Sequence, residues 1–151
     1  MRLWHIDLIP YLPKSQLLAQ WRELNSIFKK QDNHILINYI YNYSKEYLFV
    51  YAVNVVEEMQ NRGFKIRNFD NYDTYFKNVS SVMGSLTFNE HNHEYLTICY
   101  YNLKEKYLRG QKDFTYWVWE KLDKFYQEQC IKAVLPKGVE WNCVGDENVK
   151  N

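Results

Sequence analysis

Four stretches of this chain place large apolar residues three and four positions apart, and that period constrains the fold more than any other feature. Leu17, Trp21, Leu24 and Phe28 fall on one face of a helix over 17–28. Pro13 suits the first turn of that helix, where a missing N–H costs nothing. Gln16, Gln20 and Glu23 flank the stripe on an adjacent face. A second helix is predicted from a cap at Ser44 to about Arg62, with Leu48, Tyr51, Val55 and Met59 inward and Gly63 as its stop. A third carries Leu96, Cys99, Leu103 and Tyr107 from Asn89 to about Arg109, before Gly110. The fourth begins near Asp113, carries Phe114, Val118, Leu122 and Phe125, and ends before Pro136.

Between the stripes, "HILINYIYNY" at 34–43 has the Ile and Tyr content of a strand, and is read as helical or irregular. Residues 64–88, rich in Asn, Asp, Ser and Tyr, read as a long connection with one short helix. The class is all-α, a compact fold of about four main helices. No repeat or Pro/Gly/Ser linker divides the 151 residues, so 1–151 is expected to form one helical domain, with 137–151 as a loose C-terminal tail.

Composition narrows the function. Apolar residues are 46% of the chain, which argues against disorder. The 14 Tyr and 5 Trp suit core edges, where a polar tip needs a partner, and also stacking on bases. Residues 1–66 hold eight Lys/Arg against six Asp/Glu, a faint basic bias that falls short of a strong phosphate-binding stripe. Cys99, Cys130 and Cys143 are widely spaced without CxxC, as expected of reduced thiols in a cytoplasm. "MRLWHIDLIP" is too short and polar for a secretory leader, and no apolar run long enough to span a bilayer follows. A cytoplasmic protein without a membrane partner is expected.

The chemistry-bearing residues are few. Periodicity alone makes Glu23 a solvated helix carboxylate beside Arg22. His34 reads as a helix-end or edge histidine, and His5 as a packed ring. In "NEHNHEYL" at 89–96, His91 and His93 stand two apart, about 200° around a helix, so they do not face one metal. Asn89 as a cap, with acidic residues in the first turn, accounts for that stretch. The aromatic run "DFTYWVWEKLDKFY" reads first as core and second as a stacking platform. P-loop, GxSxG, GxGxxG and HExxH patterns are absent, which removes support for nucleotide, hydrolase and zinc-protease readings.

Three segments taken together resemble the pyrimidine-dimer DNA glycosylase (endonuclease V-like) family. They are the "MRLW" start, "LLAQWRELNSIF" about twenty residues later with His34 following, and "EEMQNRGFKI" at 57–66. The resemblance covers roughly 1–66, and its specific element is the arginine–glutamate pair in an apolar helix at this distance from the terminus. It implies a DNA-repair glycosylase with abasic-site lyase activity, acting on double-stranded DNA containing damaged or abasic sites, without cofactor or metal. The chain's α-amine would attack C1′ of the nucleotide and leave an imine, with a helix glutamate assisting. An α-amine titrates near 7.7–8.0 against about 10.4 for lysine, so a useful fraction is nucleophilic at neutral pH.

Carried onto this chain, the catalytic residues are Met1 and Glu23. Arg2 is too large for ordinary removal of the initiator, so the free amine falls on Met1, one residue displaced from the family pattern. Family cations in the first helix are here Gln16 and Ser26. DNA contact then rests on Arg2, Lys14, Arg22, Lys30 and His34, with Lys29 beside them. Catalysis further requires the terminus to be ordered, with Met1 near the middle of the first helix and Leu3 and Trp4 as anchors. The alternative is a non-catalytic nucleic-acid or protein-binding module that retains the fold.

Overall fold

The computed structural model describes residues 1–80 and 85–135. The expected tail at 137–151, with Cys143, lies outside the described residues, as does Pro136. The elements are a 3-10 helix Ile6–Tyr11, α1 Lys14–Lys29, a second 3-10 helix Asn38–Asn42, α2 Lys45–Asn61, the short α3 Asp70–Tyr75, α4 His93–Leu108 and α5 Tyr116–Val134. Strands are absent among the described residues, so the all-α expectation holds. The ambiguous segment 34–43 resolves into a turn and the second 3-10 helix, with Ile37 and Ile40 turned into the core.

Helix α1 packs on α2 and α3, α4 packs on α5, and the first 3-10 helix bridges α2 and α5. The predicted inner faces of the first three helices are buried or packed on the core: Leu17, Leu24 and Phe28, then Leu48, Tyr51, Val55 and Met59, then Leu96, Cys99 and Leu103, with Trp21 and Tyr107 half-buried. Two of these helices stop at glycine for a backbone reason. Gly63 and Gly110 have φ of +83° and +73°, where a Cβ is strained. In each case the following N–H reaches back five residues, Phe64 to the Met59 carbonyl at 2.9 Å and Gln111 to the Lys106 carbonyl at 3.0 Å. That closes both helices with the same left-handed cap.

Two starts differ from the expected ones. Helix α4 begins at His93, not Asn89, and Asn92 caps it by accepting the Tyr95 N–H at 2.9 Å. Residues 88–91 form a turn instead, because Phe88 and His91 are both pulled into the core. Helix α5 begins at Tyr116 behind a Thr115 cap, and Phe114 is buried ahead of the helix. Its inner face is accordingly Trp119, Leu122 and Tyr126; Val118 and Phe125 are only half-buried. The aromatic run splits, with Trp119 stacked on Tyr107 at 5.0 Å and Trp117 left exposed.

Candidate active site at the chain start

Residues 2–5 run extended through the protein interior, with Leu3, Trp4 and His5 all buried. An extended strand without a neighbouring strand must find side-chain partners for its backbone, since buried N–H and C=O groups are costly when unpaired. It finds them on three helices. Gln20 of α1 accepts the Trp4 N–H at 2.8 Å and donates to the Arg2 carbonyl at 3.1 Å. The Tyr51 hydroxyl of α2 lies 2.7 Å from the Trp4 carbonyl and 2.9 Å from Gln20 Oε1, its one proton shared between them. Tyr95 of α4 donates to the Leu3 carbonyl.

His91 completes the set. Its Nδ1 accepts the Ile6 N–H at 3.1 Å, so its proton sits on Nε2, 2.7 Å from the Tyr39 hydroxyl. Burial, with His5 nearby, pulls the His91 imidazole down to about 3, so it is neutral. The His5 ring is also buried and held below its usual range, and its Nδ1 accepts the Asp7 N–H to cap the first 3-10 helix. His93 is exposed, so the two histidines of the 91–93 pair face apart.

The far end of that 3-10 helix is held by Arg62. Its guanidinium donates to the carbonyls of Leu12 at 2.8 Å and Pro10 at 3.1 Å, and pairs with Glu58 at 2.7 Å. A helix C-terminal end is a natural seat for a cation. Arg62 therefore ties residues 6–12 to the end of α2, next to the Gly63 cap.

This threading delivers the chain start to α1. Met1 and Arg2 line a cavity of about 300 Å³ together with Gln16, Ala19 and Glu23 of α1, Leu36 of the turn, and Asn102 and Lys106 of α4. Gln20 Nε2 donates to Glu23 Oε2 at 3.2 Å, so the residue that holds the strand also holds the carboxylate. Burial pushes the Glu23 carboxyl above its usual range, while the terminal ammonium, the Arg2 backbone N–H, Arg22 and His34 pull it partly back. A roomier cleft of about 440 Å³ beside the first 3-10 helix has Asp7 and Tyr11 on its walls, but neither Met1 nor Glu23 lines it.

Met1, Arg2 and Glu23 thus share one cavity, with Arg22 and His34 within electrostatic reach of the carboxylate. Arg22 is exposed and opens onto a neighbouring groove with Lys29 and Arg67. His34 is exposed on the turn, its Nδ1 accepting the Leu36 N–H at 3.1 Å. Lys30 is the exposed C-cap of α1. Lys14 stands at the other end of that helix, its ammonium 5.5 Å from the Phe64 ring centroid, and does not line the cavity.

Sequence reasoning missed Gln20, Asn102, Lys106 and Arg62 as parts of the site. Gln20 and Arg62 carried a signal, as parts of the segments 17–28 and 57–66 that bore the family resemblance, whereas Asn102 and Lys106 carried none.

Residues 1–72 match the family model described as pyrimidine dimer DNA glycosylase, the family already indicated by the arginine–glutamate pair. No curated protein and no solved structure matches the chain. The matched segment contains the terminal strand, α1, the turn at 34–37 and the Arg62 clamp, while Asn102 and Lys106 lie beyond it.

Proposed function

We propose that this chain, whose first 72 residues match the family model described as pyrimidine dimer DNA glycosylase, is a DNA-repair glycosylase with abasic-site lyase activity run from its own terminus. The observation that carries the reading is the single cavity shared by Met1 and Glu23. The substrate is duplex DNA bearing a damaged pyrimidine or an abasic site. The Met1 amine attacks C1′, the bond to the base breaks, and the departing base takes a proton. The amine gives up a proton, the C1′–O4′ bond opens with O4′ taking one, and the open-chain iminium so formed acidifies the C2′ hydrogen, whose removal expels the 3′ phosphate and cuts the strand.

Glu23 suits the proton work. A half-buried carboxyl held above its ordinary range passes protons nearer neutral pH than a solvated one, and its charge steadies the developing cation. Arg2 and Lys106 flank it as phosphate contacts inside the cavity, and Arg22, Lys29 and Lys30 extend the basic surface along α1. His34 stands at the rim for a phosphate or sugar. Lys14 contributes at most a peripheral contact from its place against Phe64.

Borohydride reduction of the imine tests the mechanism. Incubated with abasic-site duplex, the native chain should give a stable adduct that maps to Met1, and an acetylated terminus should give none. Glu23→Gln keeps the Gln20 contact and should slow strand cleavage about 10²–10⁴-fold while leaving DNA binding in place. The same substitution should raise folding stability at neutral pH. A raised folded-state carboxyl binds its proton more tightly than the unfolded chain does, so stability is lost as pH rises through that value. Trapping by the acetylated chain would assign the chemistry to a lysine, and a native chain that never traps would leave a non-catalytic binding module.

A further inference from the structure

Helix α4 carries a second stripe on the side away from the core. Its buried face is Leu96, Cys99, Tyr100 and Leu103. On the opposite side Glu94, Ile98, Tyr101, Glu105 and Leu108 step by four, three, four and three, the 3.5-residue period of a helix that pairs with another helix. Ile98 is 49% exposed, Tyr101 55% and Leu108 71%, so no described residue covers the stripe. A helix that is apolar on both sides is expected to be packed on both.

The stripe also contains a socket. A groove of about 470 Å³ is walled by Tyr101, Lys104, Glu105 and Leu108, with Arg109 at its end. The first four stand at i, i+3, i+4 and i+7, the set that receives one knob of a facing helix.

Charge selects the occupant. Glu94 and Glu105 on the stripe repel a phosphate backbone, and a parallel copy of α4 would set each glutamate on its own like. An antiparallel copy, turned about a two-fold axis level with Leu103, sets Ile98 on the partner's Leu108 and Tyr101 on the partner's Glu105. It also sets Glu94 on the partner's Lys112, exposed just past the Gly110 turn, where its backbone carbonyl accepts the Ser15 hydroxyl at 3.2 Å. Apolar meets apolar, hydroxyl meets carboxylate, acid meets base, and every contact occurs twice. The partner's Tyr101 then falls at the level of the socket.

We propose that this chain self-associates through the outer face of α4 as an antiparallel two-fold dimer. Asn102 and Lys106, which line the Met1 cavity, lie about 80–120° around the helix from Glu94. A two-fold axis perpendicular to both helices turns these sides the same way, so the two cavities open on one side of the dimer. The proposal is independent of the chemistry read from that cavity. One helix pair buries less than a standard interface, so the dissociation constant is on the order of 10–100 µM.

Sedimentation equilibrium of the full chain, from about 1 to 500 µM, tests this at that affinity. The apparent mass should rise with concentration from the monomer value of 18.5 kDa toward twice that value. Leu108→Lys should hold the chain monomeric throughout, with far-UV circular dichroism and Tm unchanged because the side chain is exposed. Glu94→Lys should weaken association about tenfold, since it sets like charges together twice per dimer, and adding Lys112→Glu to the same chain should restore it. A native chain that stays monomeric at the highest concentration overturns the dimer and leaves the stripe to a different protein. A dimer that survives Leu108→Lys overturns the assignment of the face. Failure of Lys112→Glu to rescue Glu94→Lys overturns the antiparallel pairing.

Discussion

Gln20→Leu isolates the contact on which the candidate site is built. Leucine nearly matches glutamine in volume, so the substitution leaves little cavity in a position that is fully buried. What it removes is polar. The Trp4 N–H loses its acceptor at 2.8 Å inside the protein, at a cost of about 1–3 kcal/mol. The Arg2 carbonyl loses a donor at 3.1 Å, but it is only part-buried and water replaces most of that bond. Tyr51 keeps the Trp4 carbonyl and is left satisfied. The apolar gain of the new side chain offsets part of the loss, so the net destabilisation should be about 1–3 kcal/mol by urea titration. For a chain of this size that is a fall in Tm of roughly 3–10 °C.

The functional loss should exceed what stability explains. With Gln20 gone, neither the strand nor Glu23 is held in register, and a misplacement of about 1 Å can cost a hundredfold in rate. Borohydride trapping by Gln20→Leu, measured well below its Tm, should therefore fall about 100-fold while duplex affinity changes little. Leu122→Ala provides the control, since it opens a core cavity on α5 at about 2–4 kcal/mol without touching the strand. It should trap at the native rate under the same conditions. Equal trapping rates for the two variants would refute the idea that Gln20 positions the terminus, and an unchanged urea midpoint for Gln20→Leu would refute the hydrogen-bond accounting itself.

Two further outcomes follow from single groups. Gly63→Ala should cost about 1 kcal/mol although nothing lies within 4 Å of the added Cβ, because φ at +83° is strained for any L side chain; an unchanged midpoint in urea would contradict this. His91, neutral in the folded chain down to about 3 and ordinarily titrating near 6.5 when unfolded, gives stability that is present above about 6.5 and lost as pH falls toward 3. The unfolded chain binds the extra proton there, so His91→Gln should remove up to about 1.4 kcal/mol per pH unit from the slope between those limits. Urea titrations at pH 7, 5.5 and 4 measure it, and identical slopes for the two chains would mean that His91 is charged when folded.

What the sequence disclosed depended on distance along the chain. Apolar stripes are local, and residues three and four apart were enough to find four helices, with the inner faces of the first three packed on the core as expected and that of the fourth shifted to Trp119, Leu122 and Tyr126. The errors at the starts of α4 and α5 have a tertiary cause. Asn89 had the composition of a cap, but Phe88 and His91 are held in the core, and the helix begins only once His91 has been spent on the Ile6 N–H and Tyr39. Phe114 matched the period of α5 and is buried, yet the chain is still turning there, with Asp113 at φ +69°.

Gln16 and Gln20 read as the polar flank of α1, and nothing nearby in sequence contradicted that reading. They are buried because residues 2–5 lie across that flank, and the strand is accepted there because glutamine supplies what a neighbouring strand would have supplied. The tyrosines extend the same logic. Their apolar rings fill helix interfaces while Tyr51 and Tyr95 turn their hydroxyls to strand carbonyls, and Tyr39 meets the strand through His91. Tyr95 and His91 lie beyond the segment that matches the family, as do Asn102 and Lys106 of the cavity wall. The second half of the chain therefore joins the candidate site by two routes, holding the strand from one end of α4 and closing the cavity from the other. A chain cut after the matched segment would lose both the Leu3 tether and the Lys106 wall, which is why the terminus, the carboxylate and the distant helix are best regarded as one site.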